Sequence, residues 1–190
     1  AADVGQGSAV LVETAHGRLL YDTGPELGPD SDAGSRTIVP YLRSRGIARL
    51  EALVVSHQDA DHAGGAPAVL AAQRIDWVAS SLPDAHPAIA GARRRLACVR
   101  GERWQWGDVA FEWLHPGEAG EPSKGSPTNA RSCVLRIRSP AGSVLLAGDI
   151  EAPQEKRLLE LFPPQALQAD VLLAPHHGSR TSSLPAFLDA

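Results

Sequence analysis

The stretch "SHQDADHAGG", residues 56–65, places two histidines and two aspartates within six residues, and two glycines follow them. It comes directly after the apolar residues 52–55, which predict a short buried strand. In extended backbone every second side chain lies on the same face, so His57, Asp59 and Asp61 are predicted to point the same way. So dense a set of acid and imidazole groups at a strand end indicates a metal site rather than a solvated polar turn.

His62 and the two glycines complete this motif. A turn at residues 61–62 is predicted to bring His62 inward, and Gly64 and Gly65 permit tight backbone beside it. Four ligands on so short a segment suit two metal ions a few ångströms apart, each taking part of the set. A chain of this length can bury a core without a structural metal, so we expect the site to be functional.

Polar side chains also follow two apolar stretches further along the chain. Asp149 comes after residues 143–147, and it either bridges two ions with its two oxygens or caps a following helix. His176 and His177 follow residues 170–174, which predict another buried strand. Because adjacent side chains on a strand point to opposite faces, we expect one of these two histidines to bind metal.

Asp22, in "YDTG", ends a further predicted strand. An unpaired buried carboxylate is costly, so we interpret Asp22 as a brace behind the 56–65 segment, with a simple turn residue as the alternative. The remaining histidines, His16, His86 and His115, are expected to be ordinary surface or loop residues.

Composition limits the class of protein. The 190 residues are 43% hydrophobic and 21% charged, which is typical of a soluble globular chain, and we expect a single domain over residues 1–190. The net charge of −4 excludes a general electrostatic attraction to nucleic acid. We interpret a local basic cluster as a solvated helix face, with nucleic-acid contact as the alternative; it comprises Arg93, Arg94, Arg95, Arg100 and Arg103.

The two cysteines and the chain ends carry further expectations. Cys98 and Cys133 lie far apart among apolar neighbours, so we predict buried free thiols rather than a disulfide. No apolar run is long enough to predict a membrane span, and no signal peptide is recognisable. The chain has no Met and ends within a predicted helix at residues 184–190, so we expect a piece of a larger protein.

Hydrophobic periodicity and turn residues predict alternating elements. Strands are predicted at residues 8–14, 18–22, 52–55, 75–79, 109–113, 133–137, 143–147 and 170–174. Helices are predicted at residues 37–45, 66–73, 152–161 and 184–190, and loops at residues 24–36 and 117–128. Hairpins mixed with strand–helix units imply layers of α and β structure, with the functional site at the strand ends.

The order of these features resembles the metallo-β-lactamase fold, in which a strand-terminal aspartate, a histidine- and aspartate-rich run, a later aspartate and a further histidine follow one another. More narrowly, the chain is similar to the C-terminal domain of the competence DNA-uptake channel family, ComEC. The similarity lies in the blocks "DVGQGSAVLVET", "YDTGP", "VVSHQDADHAGG", "PTNARSCVLRI", "LLAGDIE" and "LLAPHHGSRTSS". These blocks extend from residue 3 to residue 183, which is nearly the whole chain.

The resemblance implies an α/β fold, a metallo-β-lactamase-like four-layer αβ/βα sandwich with the metals at one edge between two sheets. It also implies truncation at the C-terminus, because the family domain continues into a final strand and a later "Asn…His-Pro" segment. The implied activity is hydrolysis of DNA phosphodiesters, acting on the strand that is not imported. The implied parent is a bacterial inner-membrane channel protein with this soluble domain on its periplasmic side, and the implied partners are DNA and the remainder of that channel.

The resemblance also implies roles for individual residues. One ion is expected to be held by His57, Asp59 and Asn129, and the other by Asp61, His62 and one of His176 and His177. Asp149 is expected to bridge the ions and Asp61 to orient the attacking water, so these two are the candidate catalytic residues. Lys124 is a candidate contact to the substrate phosphate, with a solvated lysine as the alternative.

This chain departs from the pattern of the wider superfamily at several positions. Many members carry a second histidine where this chain has Asp59, and another histidine where it has Asn129 and Ser132. Asn129 and Ser132 are therefore possible ligands or supports. Sites rich in oxygen ligands favour hard ions, so we expect two divalent ions, with Mn²⁺ favoured over Zn²⁺ or Mg²⁺. Ser8 also stands where the uptake proteins often carry aspartate.

Two other functions compete with a nuclease. The first is hydrolysis of a small-molecule ester, for example by a phosphorylcholine esterase or thioesterase, and the acidic net charge favours it. The second is a non-catalytic DNA-binding remnant, for which the replaced histidines leave room. The basic cluster and the sequence blocks favour the nuclease.

Overall fold

The computed structural model describes residues 1–117 and 125–190, and it divides into two compact units, Ala1–Ala97 and Cys98–Ala190. Each unit contains a five-stranded sheet, accompanied by short helices. Among the described residues, no helix is long and apolar enough to cross a membrane.

The first unit is built on a sheet with the strand order β1-β2-β5-β6-β7 and a separate two-stranded ribbon, β3-β4. The strands are β1 (Val10–Glu13), β2 (Arg18–Tyr21), β3 (Glu26–Gly28), β4 (Ser31–Asp32), β5 (Arg49–Val55), β6 (Arg74–Ser80) and β7 (Arg95–Ala97). The helices are α1 (Val39–Ser44), α2 (Ala60–Ala63) and α3 (Ala66–Ala72). β1 and β2 form an antiparallel hairpin, whereas β2, β5, β6 and β7 run parallel.

β5 lies at the centre of this sheet, between β2 and β6. Its apolar sequence fits that position because a central parallel strand is covered on both faces. Leu53 on β5 packs in one core cluster with Leu42 of α1 and Val69 of α3. Since parallel strands end at the same edge, the residues that follow β2 and β5 are brought side by side there.

The second unit contains the strands β8 (Arg103–Trp106), β9 (Val109–His115), β10 (Val134–Ser139), β11 (Gly142–Leu146) and β12 (Val171–Leu173), in the order β12-β11-β10-β9-β8. Its helices are α4 (Ala152–Leu161), α5 (Pro164–Leu167) and α6 (Pro185–Leu188). β8 to β11 are antiparallel neighbours, and β12 pairs parallel with β11. Leu158 of α4, Leu167 of α5 and Phe187 of α6 pack with the sheet residues Leu114 and Val134.

Several predicted elements differ from the observed ones. The predicted loop at residues 24–36 contains β3 and β4, and the turn Gly34–Ile38 begins before its end. The strand predicted as buried at residues 170–174 is the edge strand β12, and Val171 is 58% exposed. An apolar run cannot distinguish an edge from a centre, because that distinction depends on which strands pair.

The basic cluster is not on a helix, so its interpretation as a solvated helix face is wrong. Arg93 and Arg94 lie in a bend, and Arg95 begins β7. Arg103 begins β8. These arginines are spread over strand ends because the backbone pairs with neighbouring strands, as in the hydrogen bond from the Val78 amide to the Arg94 carbonyl.

Cys98 and Cys133 form a disulfide, with their Cα atoms 5.8 Å apart, so the prediction of free thiols is wrong. Both residues are buried, as predicted. Pairing of β9 with β10 explains their proximity. The Arg100 amide, two residues after Cys98, bonds to carbonyls just beyond β9, and Cys133 directly precedes β10. Such pairing between distant segments cannot be inferred from the apolar neighbours of each cysteine.

Candidate metal-binding site

Asp22 is the centre of the hydrogen bonds at the edge of the first sheet. Its side chain is fully buried, and its backbone has a φ of 59°. Oδ1 accepts a hydrogen bond from the Ser56 amide at 2.7 Å, and Oδ2 accepts one from the Ser56 hydroxyl at 2.8 Å. Nδ1 of His62 lies 2.8 Å from the same Oδ2. The structure therefore brings Asp22 into direct contact with both ends of the 56–62 segment.

This network sets the tautomer of both histidines. Asp22 is acceptor-only when ionised, so His62 must carry its proton on Nδ1. The Ser56 hydroxyl donates to Asp22 and can therefore only accept from Nδ1 of His57, which lies 3.0 Å away. In both rings the proton on Nδ1 leaves Nε2 with a lone pair, which is the form that binds a metal ion.

His57 and His62 are fully buried, with ring centroids 4.2 Å apart. Nε2 of His57 has no hydrogen-bond partner within residues 1–117 and 125–190. It lies 3.7 Å from Oδ2 of Asp59, and Nε2 of His62 lies 3.8 Å from Oδ2 of Asp61. A buried nitrogen lone pair that faces a carboxylate at this distance fits a cation between the two atoms.

The backbone of this segment differs from the prediction. Asp59 is extended, but the helical turn α2 begins at Ala60, so Asp61 and His62 both lie on a helix. The prediction that Asp61 shares a face with Asp59 through extended backbone is therefore wrong. The turn closes because the amides of His62 and Ala63 donate to the Asp59 carbonyl. Helical geometry then lets neighbouring residues present ligands in different directions.

Gly64 and Gly65 are needed for close approach and not for unusual backbone angles, since their φ values are −59° and −81°. A Cβ on Gly64 would lie 2.2 Å from the Glu26 amide nitrogen. A Cβ on Gly65 would lie 2.3 Å from the Thr23 carbonyl oxygen. The glycines thus let the 56–65 segment pack directly against the backbone that follows Asp22.

In the second unit, Asp149 lies beyond the end of β11 and is 4% exposed. Its amide donates to the hydroxyl of Ser132, which is fully buried. Asp149 does not cap the following helix, because Glu151 is the N-cap and forms a capping box with Gln154. Ser132 is therefore a direct support of the Asp149 backbone.

His176 and His177 occupy the turn Pro175–Gly178 and not a strand, and both have left-handed backbone, with φ values of 47° and 52°. The argument from opposite strand faces is therefore wrong. Their Nε2 atoms lie 3.9 Å and 3.5 Å from Oδ2 of Asp149, so both rings face the same carboxylate. Such backbone is costly for residues other than glycine and is typical of functional sites.

A further set of hydrogen bonds, in the second unit, orients His176. The Thr181 hydroxyl donates to Glu151 at 2.6 Å, and it lies 3.2 Å from Nδ1 of His176. Nδ1 of His176 also lies 3.3 Å from the Glu151 carboxylate. Both neighbours accept from Nδ1, which leaves Nε2 of His176 with its lone pair. The sequence contains no local signal for these hydrogen bonds from imidazole through hydroxyl to carboxylate, because Glu151 lies 30 positions before Thr181.

Asn129 and Lys124 are the remaining predicted site residues. Asn129 begins a single helical turn, Asn129–Arg131, and its carbonyl accepts from the Ser132 amide. Lys124 lies outside the described residues. Candidate metal-holding groups are Asp61 and His62 in the first unit, and Asp149 and His177 in the second.

His115 is a neighbour of the candidate site that could not be recognised from the sequence. It was expected on the surface or in a loop, but it is buried at the end of β9. Its Nδ1 lies 2.7 Å from the carbonyl of Ser132, the residue that supports Asp149. Burial lowers the pKa of His115, its bond to Ser132 opposes this in part, and the charge of Arg100 adds to it. His16 is exposed, and His86 accepts from the Ala88 amide at a helical turn.

The lowered pKa of His115 predicts a pH-dependent stability. Below about pH 6.5 the unfolded chain binds a proton at this residue that the folded chain does not. The free energy of unfolding should therefore fall as the pH is lowered from about 6.5, by at most about 1.4 kcal/mol per pH unit from this group. His115→Asn keeps a donor for the Ser132 carbonyl but does not titrate, so its stability should fall less steeply.

Urea unfolding of both proteins between pH 7 and pH 5 in EDTA measures this difference. The other histidines are common to both proteins, so they cancel. Parallel stability curves for the wild type and His115→Asn would contradict the assignment.

The sequence is similar to that of known proteins along nearly its whole length. A family model described as the metallo-beta-lactamase superfamily matches residues 2–190. Competence protein ComA of Neisseria gonorrhoeae is 39% identical over 99% of the chain and 25% of its own length. Uncharacterized protein YcaI of Escherichia coli is 38% identical over 95% of the chain and 22% of its own length. Recombination protein 2 of Haemophilus influenzae is 37% identical over 95% of the chain and 21% of its own length. The chain thus spans about a quarter of these relatives or less.

Solved structures show the same fold. MEM-A1, a subclass B3 metallo-beta-lactamase isolated from a soil metagenome library, has a TM-score of 0.63 at 18% identity, over 93% of this chain and 76% of its own. The predicted fold class and the predicted family resemblance are both confirmed. The chain therefore belongs to the metallo-beta-lactamase superfamily, and nearly its whole length is similar to a part of Competence protein ComA and of Recombination protein 2.

Proposed function

We propose that this chain is the metal-dependent nuclease domain of a bacterial DNA-uptake channel, which hydrolyses phosphodiesters of the strand that is not imported. The proposal rests mainly on the two buried imidazoles of His57 and His62. Hydrogen bonds at Nδ1 fix the orientation of each ring and leave the lone pair on Nε2. The competence relatives supply the biological setting, since they match over almost the whole chain.

The residues proposed to hold two divalent ions are His57, Asp59, Asp61, His62, Asp149 and His176 or His177. Asp22, Ser132 and Asn129 would support them or complete the ligand set. The ions supply positive charge for the phosphate and make water more acidic. Asp61 is proposed to accept a proton from the attacking water, because its carboxylate is partly exposed, whereas Asp149 is buried. Lys124 is proposed to contact the substrate phosphate.

Mn²⁺ is the proposed ion. The ligand set has at least as many carboxylates as imidazoles and no thiolate, since both cysteines are in the disulfide. Carboxylate oxygens suit Mn²⁺ and Mg²⁺ better than Zn²⁺, whereas the imidazoles still favour a transition metal over Mg²⁺.

Incubation of the protein with single- and double-stranded DNA in Mn²⁺, Zn²⁺ or EDTA tests this proposal. We expect degradation with Mn²⁺, little with Zn²⁺ and none with EDTA. Tight Zn²⁺ binding without any Mn²⁺-dependent cleavage would contradict the choice of ion. Cleavage of a phosphorylcholine ester or a thioester without cleavage of DNA would favour a small-molecule hydrolase, the alternative that the net charge of −4 supports. Metal-independent DNA binding without cleavage would favour a non-catalytic remnant.

The disulfide supports a position on the extracytoplasmic side of the inner membrane, next to the rest of the channel protein. Disulfides persist in oxidising compartments such as the periplasm and are rare in the cytosol. The Cys98–Cys133 bond joins two buried residues of the second unit. Alkylation of the denatured protein, isolated from cells without reductant, should therefore modify neither cysteine. Two freely alkylated thiols would place the domain in the cytosol.

A further inference from the structure

One face of the second sheet carries a row of charged side chains across three strands. Arg103 on β8 is opposite Glu112 on β9, and Glu112 is opposite Arg136 on β10. Two residues further along, Ala110 on β9 is opposite Arg138 on β10. Side chains two apart on a strand share a face, so all five residues lie on the same side of the sheet.

A groove of about 650 Å³ lies on this face. We call it the arginine groove, and its lining includes Arg103, Gln105, Ala110, Glu112, Arg136 and Arg138. Ala110 is exposed although β9 lies between two other strands. Because its side chain is a single methyl, it leaves the space that a larger residue would fill.

The groove has more positive than negative charge. Glu112 is buried and forms ion pairs with both Arg103, at 2.7 Å, and Arg136. One carboxylate therefore faces two guanidinium groups, and Arg138 contributes a third. The Arg138 side chain donates to the Gln165 carbonyl at 2.9 Å, a neutral partner. The carboxylate of Asp170, near the other side of Arg138, is held by the Ser143 amide and hydroxyl.

A purely structural role would account for Arg136, which is buried and donates to the Ala166 carbonyl of α5. It does not account for Arg103, whose side chain is 70% exposed, or for Arg138, which is also exposed. Guanidinium groups held in position by carboxylate and carbonyl acceptors keep unused N–H donors, because each has five. Such preorganised groups are suited to phosphate, which they bind through two parallel hydrogen bonds.

We propose that the arginine groove binds the phosphodiester backbone of single-stranded nucleic acid, independently of base sequence. This inference rests on the proposed function for the identity of the polyanion, and it adds a docking surface separate from the metal ligands. A membrane surface of anionic lipid is a poorer match. The large apolar residues of the lining, Trp104 and Phe111, alternate with Arg103 and Glu112 along their strands, so their side chains point to the other face of the sheet, where the two rings stack 4.9 Å apart.

Binding of a fluorescent single-stranded oligonucleotide, measured by anisotropy in EDTA at several salt concentrations, tests the proposal without hydrolysis. The variants are Arg103→Gln and Arg138→Gln, which remove exposed charges and leave the buried Arg136–Glu112 pair intact. Each should weaken binding about fivefold and lower the slope of log affinity against log salt by about 0.7. Arg157→Gln is the matched control, since Arg157 is exposed on α4 in an ion pair with Glu160.

Wild-type affinity and salt slope in both groove variants would overturn the proposal. So would equal losses in Arg157→Gln, which would indicate general charge attraction. Arginine-dependent binding to vesicles with anionic headgroups, without any effect on the oligonucleotide, would also overturn it. Hydrolysis in Mn²⁺ is measured separately. Intact binding without cleavage counts against the proposed function alone, whereas intact cleavage with unchanged binding in the variants counts against the groove alone.

Discussion

Asp149→Asn is expected to lower Mn²⁺-dependent DNA hydrolysis on the order of a thousandfold while the protein stays folded. The substitution keeps the shape of a buried side chain and removes one negative charge that faces both His176 and His177. If Asp149 holds the ions as proposed, weaker ion binding would remove their charge stabilisation of the transition state, which is worth several kcal/mol. Folding should be little affected, because the variant keeps the hydrogen bond from the backbone amide of residue 149 to the Ser132 hydroxyl.

The loss of activity is measured as the rate of oligonucleotide cleavage, and Mn²⁺ affinity is measured by calorimetry. Circular dichroism checks that the variant is folded. Asp170→Asn is the control, since Asp170 is another aspartate of the second unit and its carboxylate accepts from the amide and hydroxyl of Ser143 instead of facing histidines. Asp61→Asn should also remove cleavage if it accepts the proton from water. A wild-type rate in Asp149→Asn or Asp61→Asn would refute the proposed site.

Asp22→Asn is expected to preserve most of the folding stability and yet weaken metal binding by about 10- to 100-fold or more. Asparagine tolerates the left-handed backbone at this position, where φ is 59°. Its amide oxygen can still accept from the Ser56 amide, but its NH₂ group then points at Nδ1 of His62. His62 must become an acceptor at Nδ1, so its proton moves to Nε2 and the metal-binding lone pair is lost.

Asp22→Ala is the contrasting variant. It leaves the Ser56 amide and His62 buried without their acceptor, and it places alanine in left-handed backbone. The free energy of unfolding should fall by about 3–5 kcal/mol. Urea unfolding in EDTA and Mn²⁺ titration of both variants separate the two effects. Equal metal affinity in Asp22→Asn and the wild type would show that Asp22 does not set the tautomer of His62.

The candidate ligands of the first unit could be proposed from sequence because their spacing is local. His57 and Asp61 follow directly from an apolar strand, and the run of donors is too dense for an ordinary turn. Asp22 could be predicted as a brace for a related reason, since a carboxylate that ends a buried strand needs a partner. These inferences depend on side-chain type and on short-range periodicity, and neither requires knowledge of which strands pair.

Backbone direction within these motifs could not be predicted. The segment after Asp59 was expected to remain extended, but amides of α2 bond back to the Asp59 carbonyl and close a helical turn. His176 and His177 were expected to alternate as on a strand, whereas both are left-handed. Left-handed backbone is uncommon for any residue other than glycine. Surrounding contacts, including the hydrogen bond from the His176 amide to the Gly148 carbonyl, must therefore compensate for its cost.

Residues that act through distant partners were beyond sequence reasoning. The disulfide, the buried His115 and the hydrogen bond from Thr181 to Glu151 each join segments separated by 17 to 35 residues. Their contacts exist because pairing of β9 with β10 and the turn after β12 bring those segments together. The amino-acid sequence thus indicated the family and the candidate ligand residues, since both reside in short motifs. The tautomers and orientations of the site histidines were decided only by the tertiary structure. They depend on hydrogen bonds between residues far apart in the chain, and the sequence does not show which of these residues pair.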